Sequence, residues 1–310
     1  MKITAPDYYP FFRCTAGNCR HNCCIGWEID IDEETLEFYK NVSGDFAVRL
    51  RKNIEDGECP HFILGEHERC PFLNRENLCD IYINLGEEHL CSICAEHPRF
   101  RNYIGGVCEV GLGLACEAAA ELILTRESPV RQIEIGDNGE IGESSEWEDE
   151  ILAMRERVEA IISDRSVPLR DRIGKLCGDV WFSRSPEEWG DFFGGLEILD
   201  SAWNEALGML NRENARWTEG QIPEYMYENL LRYFIYRHTP DAADEWNFDA
   251  RVCFAILSYA VIRTVCEGLL KQNGSLSTAD LMETARMYSS EIEYSEENTE
   301  AVIEETEALM

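Results

Sequence analysis

Positive charge is scarce in this chain. Its 310 residues carry 28 Lys and Arg against 60 Asp and Glu, a formal net charge of −32. Nucleic-acid affinity depends on neutralising phosphates with cations, so nucleic acid is excluded as a partner. An anionic membrane surface is excluded on the same ground. Long apolar runs are also missing. The longest, Val252–Ile262, has 11 residues and is flanked by Arg251 and Arg263, whereas a bilayer span needs about 20. It reads as a buried core helix. The first nine residues lack the basic and apolar regions of a secretory signal. Together these absences predict a soluble, cytoplasmic protein.

Familiar catalytic signatures are absent too. There is no Walker A loop, no Gly-x-Ser-x-Gly and no His-Glu-x-x-His. Gly105-Gly106-x4-Gly111-x-Gly113 lacks the dinucleotide spacing and reads as a tight turn before a helix. No catalytic residue is assigned from sequence. Cysteine, finally, is sparse over the last two thirds, with only Cys177, Cys253 and Cys266.

The other eleven cysteines crowd into 14–116. They run Cys14-x4-Cys19-x3-Cys23-Cys24, then Cys59, Cys70, Cys79, Cys91, Cys94, Cys108 and Cys116. A reducing cytosol and a chain long enough to bury a core argue against a disulfide framework. Thiolates are soft ligands for zinc, copper(I) or iron–sulfur clusters. A zinc ribbon would show two Cys-x2-Cys pairs, and only Cys91-Ser-Ile-Cys94 has that form. The uneven spacing fits a cluster wrapped by several segments. The candidate ligands are Cys14, Cys19, Cys23, Cys24, Cys70, Cys79, Cys91 and Cys94. His21 lies inside the cysteine run and is a further candidate; His61, His67, His89 and His97 are solvated or ligating. Phe72, Leu73, Ile81 and Tyr82 follow two of the cysteines and suit an apolar shell. In Cys94-Ala-Glu-His97-Pro98-Arg99, a guanidinium follows a thiolate closely. It suits either a methionine-derived carboxylate or a structural ion pair.

Along the chain, Asp30 or Asp32 caps a helix over Glu33–Val42. Residues 53–84 read as loop-rich. Helical spacing returns from Leu112 to Ile123. Ile133–Glu150 carries eight acids and no Lys or Arg, which reads as a linker or exposed loop. Beyond it everything reads helical: capping patterns at Ser145/Glu148 and Ser185-Pro186-Glu187-Glu188, a helix through Tyr225–Arg237, a buried helix over Phe248–Lys271, and terminal helices over Thr278–Ser290 and Thr299–Met310. The expected fold is mainly α, with an irregular Cys-rich metal-cluster module packed on an all-helical body. Its divisions are a module at 1–130, an acidic linker at 131–150 and a helical domain at 151–310.

The order Cys14/Cys19/Cys23/Cys24, Cys70–Leu73, Cys79–Tyr82 and Cys94–Pro98 resembles the YkgJ-type metal-chelating domain. Tyr8-Tyr9-Pro10-Phe11-x2-Cys14, Cys23-Cys24-x2-Trp27 and Leu114-Ala-Cys116-Glu-Ala-Ala119 resemble, more narrowly, the flagellin lysine-N-methylase (FliB) family. The family segment often reads Cys-Pro-Glu-Ala-Ala; here Glu117 follows Cys116. The resemblance covers about residues 7–125. It implies an enzyme that methylates surface lysines of flagellin with S-adenosylmethionine and a 4Fe–4S cluster. Under it, Arg99, His97 and Tyr82 are the residues set against the cofactor. The alternative is a non-enzymatic zinc- or iron-binding protein whose helical body binds a partner.

Overall fold

The structure, a computed structural model, describes residues 1–176 and 180–310, with the backbone alone at Phe182. Cys177 lies outside the described residues. Strand β1 (Lys2–Pro6) opens the chain. The segment Arg13–Arg99 then forms one compact unit, and Met1–Phe12 with Phe100–Met310 forms the other.

The smaller unit holds helices α1 (Glu33–Asn41) and α2 (Asp45–Lys52), a two-stranded ladder of β2 (Ile54–Glu55) and β3 (His61–Phe62), and helices α3 (Asp80–Leu85) and α4 (Ser92–Glu96). Asp32 is the N-cap of α1, its Oδ1 accepting from the Thr35 N–H at 3.0 Å. The elements are short, so side-chain packing sets their arrangement. Leu36, Tyr39, Leu50, Phe62 and Phe72 are buried together. Phe62 meets Phe72 edge-on at 5.0 Å, a favoured aromatic geometry. The Tyr39 hydroxyl donates to the His89 carbonyl at 2.7 Å, and Phe38 stacks on the His89 ring.

The larger unit continues with β4 (Arg99–Ile104), β5 (Val107–Leu112), helix α5 (Glu117–Leu124) and β6 (Gln132–Asp137). The sheet order is β4-β5-β1-β6, with β1 parallel to β5 and antiparallel to β6. Gly105 and Gly106 form the two-residue turn between β4 and β5, with φ of +62° and +70°. That left-handed pair makes the turn that matches the twist of a hairpin. The glycine run is therefore a hairpin signal followed by a strand, and helix begins only at Glu117. Glutamate there suits the positive end of the helix as well as proline suits its first turn.

These pairings draw residues 1–12 and 100–150 into the larger unit. The structure thus divides the chain at 13 and 99, whereas the sequence reading set the module at 1–130 and a linker at 131–150. Within that stretch Gln132–Asp137 is an edge strand. Its acids stay exposed while its backbone pairs with β1.

The remainder is helical: α6 (Glu146–Ile162), α7 (Leu169–Ile173), α8 (Pro186–Gly194), α9 (Ala202–Leu207), α10 (Glu224–His238), α11 (Ala242–Glu245), α12 (Phe248–Asn273), α13 (Thr278–Tyr288) and α14 (Glu296–Ala308). Every strand among the described residues ends by Asp137, so the helical body expected from 151 onward holds. Both capping boxes form, at Ser145/Glu148 and at Ser185/Glu188. Ser145→Ala is expected to cost about 1 kcal/mol by removing the acceptor for the Glu148 N–H. Thermal unfolding checks it, and an unchanged midpoint would count against the cap's contribution.

Helix α12 is long and apolar enough to cross a bilayer by length and composition, and it is almost wholly buried inside the helical core. A helix that is apolar on all faces needs such burial. Its cationic interruption at Arg263 is accommodated by the faces of Trp217, Tyr227 and Tyr259 at 4.8–5.8 Å. Trp189, Phe193, Trp203, Phe234 and Tyr288 build the aromatic centre of the body. Cys253 on α12 is disulfide-bonded, whereas the eleven cysteines of 14–116 are all free thiols.

Candidate functional site

Six of the eight sequence-predicted thiols gather in the smaller unit. Cys70 and Cys91 belong to its buried core, and Cys24, Cys79 and Cys94 pack against it. Electrostatic interactions link Cys24, Cys70, Cys79, Cys91 and Cys94 to one another, and Cys23 is hydrogen-bonded to Cys24. The local reason lies in the residues after each cysteine. The N–H groups of Phe72 and Leu73 face the Cys70 sulfur, and those of Ile81 and Tyr82 face the Cys79 sulfur. Burial still dominates, pushing the Cys70 thiol up to about 11 and raising Cys79 as well. Cys91 and Cys94 share a hydrogen bond at 3.3 Å, which lowers Cys91 and raises Cys94. A similar bond lowers Cys23 and raises Cys24.

Asp32 fixes the Cys91–Cys94 pair. Its Oδ2 accepts from the Ser92 N–H at 2.8 Å and the Ser92 hydroxyl at 3.0 Å, tying the start of α1 to the start of α4. Burial would raise this carboxyl, but the Ser92 and Thr35 donors hold it down at about 2.

Soft donors, N–H groups on the sulfurs and an apolar wall of Phe72, Leu73 and Ile81 fit an iron–sulfur group. Among the described residues no three His, Cys, Asp or Glu side chains are spaced as ligands of one ion. A cluster spreads its thiols around a larger body than a single ion does, so the donor chemistry is the informative fit.

The other predicted residues are placed as follows. Cys14 is exposed and its sulfur accepts from the Ala16 N–H at 3.3 Å. Cys19 contacts the His21 carbonyl at 3.2 Å. His97 meets Trp27 edge-on at 5.7 Å. Arg99 donates to the Ala95 carbonyl at 3.3 Å. Tyr82 is 50 % exposed. It is not part of the apolar shell, because one residue on from buried Ile81 the helix turns its side chain outward. Cys108 is buried in β5, and Cys116 caps α5.

Sequence reasoning missed a second site, in the larger unit. A cleft of ≈ 800 Å³ is lined by α10, α14 and the turn between α13 and α14. Its floor is a buried network. Glu293 sits in a π-helical turn, Ser289–Glu293, a local irregularity often found at functional sites. The His238 Nε2 lies 2.6 Å from the Glu293 carboxylate, and the Tyr233 hydroxyl donates to that carboxylate at 3.0 Å. Arg237 donates to the Tyr233 hydroxyl at 2.8 Å and is held between the rings of Phe100 and Tyr294. Burial opposes the charge on Glu293, but Arg237 and His238 hold its carboxyl below the ordinary value. Burial lowers His238, against the pull of Glu293, which favours the neutral ring; facing a carboxylate, Nε2 carries the hydrogen and donates it in the hydrogen bond. Gly113 lets the backbone reach this network. A Cβ there would collide with the Tyr294 hydroxyl and Arg237.

Residues 183–309 match the FliB lysine N-methylase C-terminal domain. The helical body is thus similar to the C-terminal domain of the FliB lysine N-methylases. The match covers α8 to α14 and hence most of the cleft. The residues that carried the resemblance in the sequence lie at 7–125, outside it, and the YkgJ-type likeness is not part of it. The chain is 28% identical over 133 residues to the lysine-N-methylases of Salmonella choleraesuis (strain SC-B67) and Salmonella typhimurium (strain LT2). Each alignment covers 40% of this chain and 33% of the relative, so it spans a third of the length of those FliB-family proteins. The flagellar biosynthetic protein FliU of Salmonella muenchen is likewise 28% identical over 133 residues, covering 40% of this chain and 78% of that protein. No solved structure matches the chain.

One signal could have exposed the cleft in the FliB domain. Glu296, Glu300, Glu304 and Glu307 repeat at helical spacing on α14 and fall on one face. Like charges four apart destabilise a helix, so such a stripe asks for a reason.

Proposed function

We propose that the chain transfers a methyl group from S-adenosylmethionine to the ε-amine of a lysine on a protein, with flagellin as the expected substrate. The family match over the body that holds the acidic cleft carries this reading. The names of the Salmonella relatives, lysine-N-methylase and a flagellar biosynthetic protein, support it. S-adenosylmethionine supplies an electrophilic methyl on a sulfonium, and a 4Fe–4S cluster supplies an iron that can hold an amino acid's amine and carboxylate.

Cysteines from the set Cys23, Cys24, Cys70, Cys79, Cys91 and Cys94 would hold the cluster. Arg99 would face the cofactor carboxylate, with His97 and Tyr82 in the same segment. The chain's acids attract and desolvate the lysine ammonium. A base must then take its proton, because only the neutral amine is a nucleophile. The proposed setting is the cytoplasm, where the free thiols of the smaller unit would stay reduced.

The deciding experiment is co-expression with flagellin, followed by mass spectrometry of the flagellin peptides. Lysine-containing peptides heavier by whole methyl groups are expected with the wild type and not with an empty vector. Unmodified lysines beside protein fully loaded with iron would sink the flagellin assignment.

A further inference from the structure

The cleft in the helical body has features that structural burial does not require. Glu296, Glu300, Glu304 and Glu307 line it from α14, and among the described residues none of these four has a cationic partner within ion-pair distance. Asp241 and Glu245 add to the rim but are already paired with Arg251. Below them His238 lines the same cleft with a side chain only 7% exposed. Its Nε2 is committed to Glu293. Its other nitrogen, Nδ1, has no hydrogen-bond partner among the described residues, nor is it one of the sealed polar atoms that lack one. A carboxylate fixing one face of an imidazole while the other nitrogen stays available is the arrangement of a positioned base. The α14 stripe is costly for a helix unless a cation relieves it.

We propose that this cleft receives the substrate's lysine side chain and that His238 Nδ1 takes the proton its ammonium must lose before the nitrogen attacks. The inference rests on the methyl-transfer reading above and locates the acceptor half of that reaction. The α14 carboxylates draw the ammonium in and strip part of its water. One substrate N–H bond breaks, an Nδ1–H bond forms, and the electron pair stays on the substrate nitrogen. Glu293, through the Nε2–H, stabilises the imidazolium so created. The nitrogen pair then forms the N–CH3 bond as the donor's S–CH3 bond breaks, its pair remaining on sulfur. The imidazolium afterwards loses its proton to water at the cleft mouth.

His238 is the catalytic residue here and Glu293 a positioning residue. Tyr233 and Arg237 keep the Glu293 carboxylate oriented. The charged groups that act on the ring are Glu293 from the π turn, Arg237 from its own helix and Asp241 from the following turn. Phe234 and Phe254 cover its faces.

The test uses the full-length, iron-loaded protein and two variants, His238→Asn and Glu293→Gln. The first readout is methylation of a flagellin lysine as a function of pH. General-base loss typically costs 10²–10⁴-fold, so His238→Asn should lower kcat by about 10²-fold or more. KM should move by less than about threefold. The acidic limb of the pH profile should vanish in His238→Asn. In Glu293→Gln it should shift to lower pH, because the imidazolium loses its anion; a merely structural role would not move it. The second readout needs no turnover and no variant. It is the ring nitrogen spectrum of His238 in wild-type protein titrated with Nα-acetyl-lysine methylamide, which should show imidazolium appearing.

An active wild type, with His238→Asn retaining kcat within about threefold and the same limb, overturns the inference and leaves the methylase reading intact. An inactive wild type whose His238 ring still responds to the lysine probe overturns the methylase reading and keeps the lysine site. If the ring ignores the probe, the lysine site is wrong whatever the activity. Should His238→Asn fail to fold, the ring titration decides alone.

Discussion

Protein carrying Cys91→Ser, purified anaerobically beside the wild type, is expected to be nearly devoid of iron and colourless. Cys91 is fully enclosed in the core of the smaller unit and shares a hydrogen bond with Cys94. Serine keeps the volume but replaces a soft donor by a hard, weakly acidic one. A cluster losing a buried ligand has no water at hand to replace it. Cys59→Ser is the matched control, since Cys59 is exposed and outside the gathered thiols; its iron and sulfide should equal the wild type's. Wild-type protein holding zinc and no sulfide would overturn the cluster assignment. Equal iron in Cys91→Ser would remove Cys91 from the ligand set and leave the other five thiols to be tested in turn.

The second large effect lies far from any chemistry. Arg172 and Glu228 are each 1% exposed and joined at 2.8 Å. Arg165 also donates to Glu228, and Arg172 also reaches Glu224 and the Ile162 carbonyl. Glu228→Ala leaves a guanidinium buried with one anion removed, a change that typically costs about 3–5 kcal/mol. In a chain of this size that corresponds to a fall of roughly 10 °C in the melting temperature. Replacing both Arg172 and Glu228 by methionine should recover much of the loss, since no buried charge is then stranded. A melting temperature for Glu228→Ala within a degree or so of wild type would show that solvent reaches this pair.

Local signals were legible in the sequence where a single residue type has a single use. Asp32 caps α1, both Ser-x-x-Glu boxes form, and the apolar run at Val252 sits in a buried helix. That helix, read over Phe248–Lys271, runs from Phe248 to Asn273, and aromatic faces accommodate Arg263 in its interior. The sheet was missed for a different reason. Its strands are short, β1 finds its partners more than a hundred residues away, and β6 hides in acidic sequence whose side chains say solvent. The thiols could be nominated from spacing, but that Cys23, Cys24, Cys70, Cys79, Cys91 and Cys94 gather was a matter of tertiary packing. The cleft was the least legible feature. His238 and Glu293 are 55 residues apart, and one glutamate among so many acids carries no mark of burial. The π turn that aims it follows from how α13 meets α14.

The sheet also has a consequence for biosynthesis. Strand β1 leaves the ribosome well before its parallel neighbour β5, which begins about a hundred residues later, with the whole thiol-bearing unit between them. At roughly 5–20 residues per second, β1 waits about 5–20 s for a partner. The cysteine segment emerges complete within that interval. Loading of the proposed cluster would thus have a window in which the thiols exist and the larger unit does not. A nascent chain stalled just after Arg99 is the form in which such loading would occur.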